Sequence, residues 1–311
     1  MVMSVFSERF FMRHAYMILA HTGLQELRSL IHALDYAEND IFVHIDAKAQ
    51  YGYEQLEDIK TSMSAGLFFI TPQIDTTWGG SSLVLAHLAL LKAAYANTDG
   101  RYRYYHTLSG LDFPVKSHNY IMHYFKEHDG ENFMSCDFDD SAPSHIQLRC
   151  DQYHFFQDSL IGKKRNIWKY IDFASCYAQR AIGIRRFKGK RILKGSEWWS
   201  ITDELAGFYV RHADEIASRY RWTYCADECF QFTEIEDTPY IKTISPRGNL
   251  RFIEWEQVTR RDRSPRALTI DDFETLQQSD ILFARKFIYP QSKELEEALI
   301  QSGFVADQTR N

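Results

Sequence analysis

The sequence predicts an α/β fold, with a Rossmann-like N-terminal half whose mostly parallel central sheet is flanked by helices. Three observations carry this. Short apolar runs alternate with stretches of helical periodicity over residues 14–130. Polar clusters, most of them containing Gly, close those runs. The 311 residues, 45% hydrophobic and 15% aromatic, can also bury a large core.

Each element follows from its local pattern. Residues 15–19 are a short apolar run, read as the first strand, ending at His21-Thr22-Gly23. Leu24, Leu27, Leu30, Ile31 and Leu34 then recur at helical spacing. Residues 41–45 and 67–70 read as the second and third strands, 83–94 as a strongly apolar helix, 104–108 as the fourth strand, and 121–125 as part of a helix. Strands that alternate with helices imply parallel pairing, and ligands of such sheets bind beyond the carboxyl ends of the strands. Four polar clusters fall there: His21-Thr22-Gly23, His44-Ile45-Asp46-Ala47-Lys48, Trp78-Gly79-Gly80 and Ser109-Gly110-Leu111-Asp112. One or two would be turn chemistry; four at one rim point to a nucleotide or sugar site.

Composition excludes several classes. A net charge of −6 argues against a nucleic-acid partner, which calls for a broad basic face. No apolar run approaches the roughly 20 residues of a membrane span. Arg9 and Arg13 precede an apolar run, 15–20, too short for a signal peptide. The five cysteines (Cys136, Cys150, Cys176, Cys225, Cys229) are odd in number and lack metal-like spacing, so a reducing cytoplasm is expected. Neither G-x-G-x-x-G nor a P-loop is present, so phosphates would have to be neutralised by side chains or metal.

Near the end of the chain, Leu282-Phe283-Ala284-Arg285-Lys286-Phe287 sets two cations inside an apolar strand-like run. A buried cation is costly unless it meets an anion, although edge strands also carry Lys and Arg as solvated gatekeepers. Alternation would send Arg285 and Lys286 to opposite faces.

Six segments then occur in one order: His44-Ile45-Asp46-Ala47-Lys48, Trp78-Gly79-Gly80, Leu108-Ser109-Gly110-Leu111-Asp112-Phe113-Pro114, Lys194-Gly195-Ser196-Glu197-Trp198-Trp199, Ala226-Asp227-Glu228 and Phe283-Ala284-Arg285-Lys286-Phe287. With them the chain resembles the core-2/I-branching N-acetylglucosaminyltransferase and peptide O-xylosyltransferase family, in its bacterial form, over about residues 15–287. The resemblance implies an inverting glycosyltransferase of A-type fold that moves a sugar, N-acetylglucosamine or xylose, from a UDP-sugar to a glycan or lipid-linked oligosaccharide acceptor. It implies no metal and no other cofactor. A single domain, 1–311, is expected, with a nucleotide-binding half (14–130), an acceptor and catalytic half (131–290), and a C-terminal helix and tail (291–311). A cytoplasmic enzyme of surface-polysaccharide synthesis fits these features.

By that resemblance Glu228 is the base that deprotonates the acceptor, with Thr233 at the family's five-residue spacing. Asp227-Glu228 also reads as an acidic pair in the first turn of a helical segment, 226–235, and Asp227 is taken as a helix-start residue. Lys286 matches the residue that neutralises the donor diphosphate, and Arg285 matches the xylosyltransferase-like form. The backbone at Leu19, Ala20 and His21 is expected along the uracil, which Asp46 reads. His44 shares that strand end, or is a satisfied core histidine.

Trp78 and Gly79 offer close backbone approach before a helix whose N-terminus suits an anion, or else form a tight turn with a packed Trp. Asp112 is a candidate for sugar hydroxyls. Trp198 and Trp199 are candidate platforms for a pyranose face, with Trp198 favoured in the site and Trp199 in the core, because strand neighbours face opposite ways. Asp137-Phe138-Asp139-Asp140 imitates a metal-binding D-x-D, yet acidic loops of this kind are usually solvated. A basic region, 163–191, opens at Lys163, closes at Arg191, and interleaves Trp168, Tyr170, Phe173 and Phe187; contact with an anionic membrane and a solvated excursion both fit it. A catalytically silent sugar-nucleotide or glycan-binding module is the alternative function, but such a module has no need of a base.

Overall fold

The computed structural model describes residues 13–97, 102–137, 143–258 and 263–303. Four parallel strands come first: β1 (His14–Ala20), β2 (Asn39–Ile45), β3 (Gly66–Phe69) and β4 (Tyr104–Ser109). β1 lies between β2 and β4, and β2 pairs with β3. Alternate residues of β1 serve opposite faces. Ala15 and Met17 join the core under the helix Ser82–Asn97, with Val84, Leu88 and Leu91. Tyr16 and Ile18 join Leu27, Leu30 and Ile31 of the helix Leu24–Ala33. Covering on both faces is why these strands read as unbroken apolar runs.

The rest of the sheet turns antiparallel. β5 (Asp112–Pro114) leaves it, while β6 (Phe133–Asp137) and β7 (Lys194–Thr202) extend it, in the order β3-β2-β1-β4-β7-β6. β7 runs antiparallel to both its neighbours. β8 (Arg251–Ile253) opens the last part of the chain, and the antiparallel pair β9 (Trp255–Gln257) and β10 (Arg263–Pro265) follows it. β11 (Phe283–Arg285) lies between β5 and β8 in a second, three-stranded sheet. Arg251 joins the two sheets: its buried guanidinium donates to Thr107 O at 3.1 Å, Trp199 O at 2.9 Å, Ser200 Oγ at 2.8 Å and Asn249 O. Without those acceptors a buried cation would be strongly destabilising.

Between β6 and β7 the chain makes an excursion through the helix Pro143–Asp151, a π-helical turn Gln157–Ile161 and the helix Ile167–Ala181. The expected single helix over 226–235 is divided. A 3-10 turn, Ala226–Glu228, follows Cys225 in the left-handed region, and the one-turn helix Phe230–Thr233 comes after it. Among the described residues no helix is long and apolar enough to cross a membrane.

Candidate active site

β1, β2 and β4 end together, and register decides what gathers beyond them. Leu19 O accepts Gly110 N at 2.9 Å and Ala20 O accepts Asp46 N at 2.8 Å, so these carbonyls, expected along a base, lock neighbouring strand ends. His44 is the satisfied core histidine: its buried Nε2 accepts from Ile74 N at 3.0 Å. Asp46 is buried too. Its carboxylate takes Lys48 N at 2.7 Å, Thr76 N at 3.0 Å and the Thr76 hydroxyl, so it clamps the following loop. Beside it an open hollow of about 310 Å³ is lined by Asp46, Ala47, Tyr51 and Gln73.

The Trp78-Gly79-Gly80 turn corrects one expectation. The N-terminus of the helix Ser82–Asn97 already holds an anion, the carboxylate of Asp158. That group accepts from Ser81 N (3.0 Å), Ser82 N (3.2 Å) and the hydroxyls of Ser81 (2.8 Å) and Ser82 (2.6 Å). Gly79 has φ +70, and a Cβ there would lie 2.8 Å from Tyr224. Gly79 O accepts Cys225 N at 2.8 Å, and Trp78, half-exposed, meets Tyr224 edge-on with 6.0 Å between ring centroids. The turn is thereby fastened to the segment that carries Glu228.

Asp112 is also corrected. Antiparallel pairing sets it opposite Arg285, whose Nη1 donates to Asp112 Oδ1 at 3.0 Å, while Ser109 N donates to Oδ2 at 2.9 Å. Its side chain is 1% exposed, so it orients Arg285 and is not open to a sugar. Burial raises its pKa above the ordinary carboxylate range, against the pull of Arg285. Arg285 in turn lies over Trp198, 4.7 Å from the ring centroid. Trp199, the other candidate platform, packs in the core with Met134, Ile201 and Leu205, because strand alternation turns it to the opposite face.

Cations converge next to this pair. His21 is held below its usual pKa first by burial, then by Arg285 and Lys286, with Lys163 adding and Asp46 opposing. Burial lowers Lys286 as well, followed by Arg285 and Lys163. Among the described residues the Lys286 ammonium has no hydrogen-bond or ion-pair partner. Lys163, 5.9 Å from the Trp78 ring centroid, joins these cations, a site residue that the sequence shows only as part of a basic region. It reaches the site through the excursion that Asp158 pins, a fold over long sequence distance with no local signal.

Carboxylates gather along β7 as well. Glu228, partly exposed, accepts from Arg149 Nη1 at 2.9 Å and lies 3.7 Å from Lys194 Nζ. Arg149 stands over Tyr224. Asp227, expected only to start a helix, is buried, and its Oδ1 has no partner. Burial pushes its pKa well up, and Glu197 and Glu228 add to the rise. Glu197 also faces the buried His87, at 3.9 Å. β7 links these groups: Lys194 is near Glu228, Glu197 near Asp227, and Trp198 under Arg285. Trp198, the favoured platform, is itself buried at 6% exposure with the Arg285 guanidinium over its ring, so it supports Arg285 and offers no open face to a sugar. Cations near a carboxylate suit a reaction whose leaving group is anionic and whose attacker loses a proton.

Of the D-x-D candidate, Phe138, Asp139 and Asp140 lie outside the described residues; Asp137 ends β6. His154, Asp172 and Cys176 bring metal-ligand atoms within 4.8 Å of one another. There His154 and Asp172 hydrogen-bond each other at 2.7 Å, and the set sits behind Tyr224, whose ring is 5.6 Å from that of His154.

Residues 14–277 match the model of the Core-2/I-Branching enzyme family. Xylosyltransferase 1 of the dog is 22% identical over 295 residues, covering 88% of this chain and 29% of that protein. The human N-acetyllactosaminide beta-1,6-N-acetylglucosaminyl-transferase is 24% identical over 287 residues, covering 88% and 67%. The chain thus spans under a third of the xylosyltransferases it matches. The apo structure of mouse xyloside xylosyltransferase 1 aligns with a TM-score of 0.39 at 8% identity, over 88% of this chain and 96% of that one.

Proposed function

The chain belongs to the Core-2/I-branching enzyme family, and from that premise we propose that it is an inverting, metal-independent glycosyltransferase. It moves a sugar from a UDP-sugar to a hydroxyl of a glycan or lipid-linked oligosaccharide, in surface-polysaccharide synthesis. N-acetylglucosamine and xylose are the sugars in its relatives' names. The observation that carries the reading is what β7 brings together: Lys194 lies 3.7 Å from the Glu228 carboxylate, and Trp198 lies under Arg285, which stands with Lys286 and Lys163 around His21.

In this reading the acceptor hydroxyl gives its proton to the Glu228 carboxylate as its oxygen attacks the anomeric carbon. The bond to the diphosphate breaks on the opposite face, and UDP leaves with the bonding electron pair. Each cation about 4 Å from the leaving oxygens contributes roughly 4 kcal/mol at an effective dielectric of about 20, before desolvation. Several such contacts do the work of a divalent ion. Arg149 orients Glu228, and Asp112 orients Arg285.

The test is transfer from UDP-N-acetylglucosamine and UDP-xylose to glycan acceptors in excess chelator. Wild type should turn over, and Glu228→Gln should lose about 10² or more in turnover while binding UDP as wild type does. Full loss on chelation, restored by manganese or magnesium, would remove the metal-free mechanism. Near-normal turnover of Glu228→Gln would remove the base.

A further inference from the structure

The helix Ile167–Ala181 is built inside out. Its inward face is polar. Asp172 meets His154, Cys176 lies 3.7 Å from the same ring nitrogen, and Gln179 is hydrogen-bonded in both directions to the Tyr153 backbone, at 2.7 and 2.9 Å. Its outward face is apolar and aromatic: Ile167, Tyr170, Phe173 and Tyr177, with Ile182 just beyond, are 61 to 76% exposed. An ordinary surface helix has the reverse arrangement. Apolar residues on three successive turns, all facing solvent, mark an interaction face.

Charge identifies the partner. Residues 163–191 hold ten Lys and Arg and one acid, Asp172, which is buried, in a chain of net charge −6. Lys169 and Arg180 of the helix, and Lys164, Arg185 and Lys188 of the segments that flank it, are exposed. A second copy of the chain would set two such basic regions against each other. An anionic bilayer accepts both features at once, taking aromatic and aliphatic side chains at headgroup depth and cations at its surface.

We infer that the helix Ile167–Ala181 docks this protein on an anionic lipid bilayer, with its apolar face in the headgroup layer and these basic residues on the lipid phosphates. The inference rests on the helix and its surroundings, independently of the transferase reading. If both hold, Lys163, just ahead of the helix, brings the donor site beside the bilayer, where a lipid-linked acceptor would be presented.

Sedimentation with vesicles tests it on the full chain, with neutral phosphatidylcholine alone and with about one part in three phosphatidylglycerol. Wild type should sediment with the anionic vesicles only and be released by salt. Lys169→Glu/Arg180→Glu should lower the bound-to-free ratio about 25-fold or more, at about fivefold for each charge. Phe173→Ser/Tyr177→Ser should lower it about tenfold or more at low salt. These side chains face solvent, so both variants should keep the wild-type melting temperature. Wild type left in the supernatant, or either variant binding like wild type, would overturn the inference. A wild-type dimer that Phe173→Ser/Tyr177→Ser disperses would also overturn it, by assigning the face to self-association.

Discussion

Lys286 is half-buried beside Arg285 and Lys163 and has no counter-ion among the described residues. Arg285 has Asp112 as its counter-ion, but Lys286 has none, and the like charges beside it raise the energy of the free site, which a bound diphosphate relieves. Lys286→Ala and Lys163→Ala should therefore each weaken UDP binding about tenfold or more, with Lys164→Ala as the unaffected control. Calorimetric titration of UDP reads this; unchanged affinity for both would leave the pair as solvated surface cations. The Arg285-Lys286 cations were legible in sequence because charge inside an apolar run is anomalous. Lys163 and the Asp112–Arg285 pair were not, since nothing local announces a contact 173 residues away. Asp112 and Asp46 read as ligand-binding acids because a carboxylate ending a strand looks idle until its protein donors are seen.

At the scale of elements, periodicity identified the helices and strands but not what their faces meet. The four parallel strands and the helices between them follow from apolar runs that both faces of the sheet bury. The Ile167–Ala181 helix has the same kind of stripe turned to solvent, and pattern alone does not separate the two cases. Asp158 shows how one element fixes another, since its carboxylate caps the helix Ser82–Asn97 and anchors the excursion that carries Lys163. Asp158→Ala should cost about 1–2 kcal/mol of stability, as loss of an N-terminal cap does. It should also weaken UDP binding, although Asp158 is already filled by its own hydrogen bonds. Denaturant titration and calorimetry on one variant measure both; lost stability with unchanged UDP affinity would separate the excursion from the donor site.

For the whole molecule, the first half of the fold was legible because its strands alternate with helices, although β4 pairs with β1 and not with β3. The insertion of β7 between β4 and β6, and the joining of β5, β8 and β11, depend on long-range pairing that no local pattern encodes. Those junctions are sealed by a buried polar network whose response to pH can be worked out. His14 and His106 face each other at 3.0 Å, and His106 meets Ser200, which Arg251 also contacts. Burial lowers the pKa of His14 to about 3 and that of His106 well below the ordinary value. Both groups are neutral when folded and protonate more readily when unfolded. Their contribution is thus complete above about pH 6.5 and is lost progressively as pH falls toward about 3. Asp203, raised to about 6 mainly by burial, acts in the opposite sense, since it binds its proton more tightly when folded. Asp112 and Asp227, also raised by burial, act as Asp203 does, so the share of the histidines, about 2 kcal/mol at pH 5 for each held neutral, is read as the difference between wild type and a variant lacking them. The variant His14→Gln/His106→Gln, less stable at neutral pH, should lose less stability than wild type between about pH 7.5 and 5, because it lacks the groups that take up protons on unfolding. Melting curves of both proteins across that range provide the comparison. Equal slopes would mean that the two histidines do not set the acid limit of this fold.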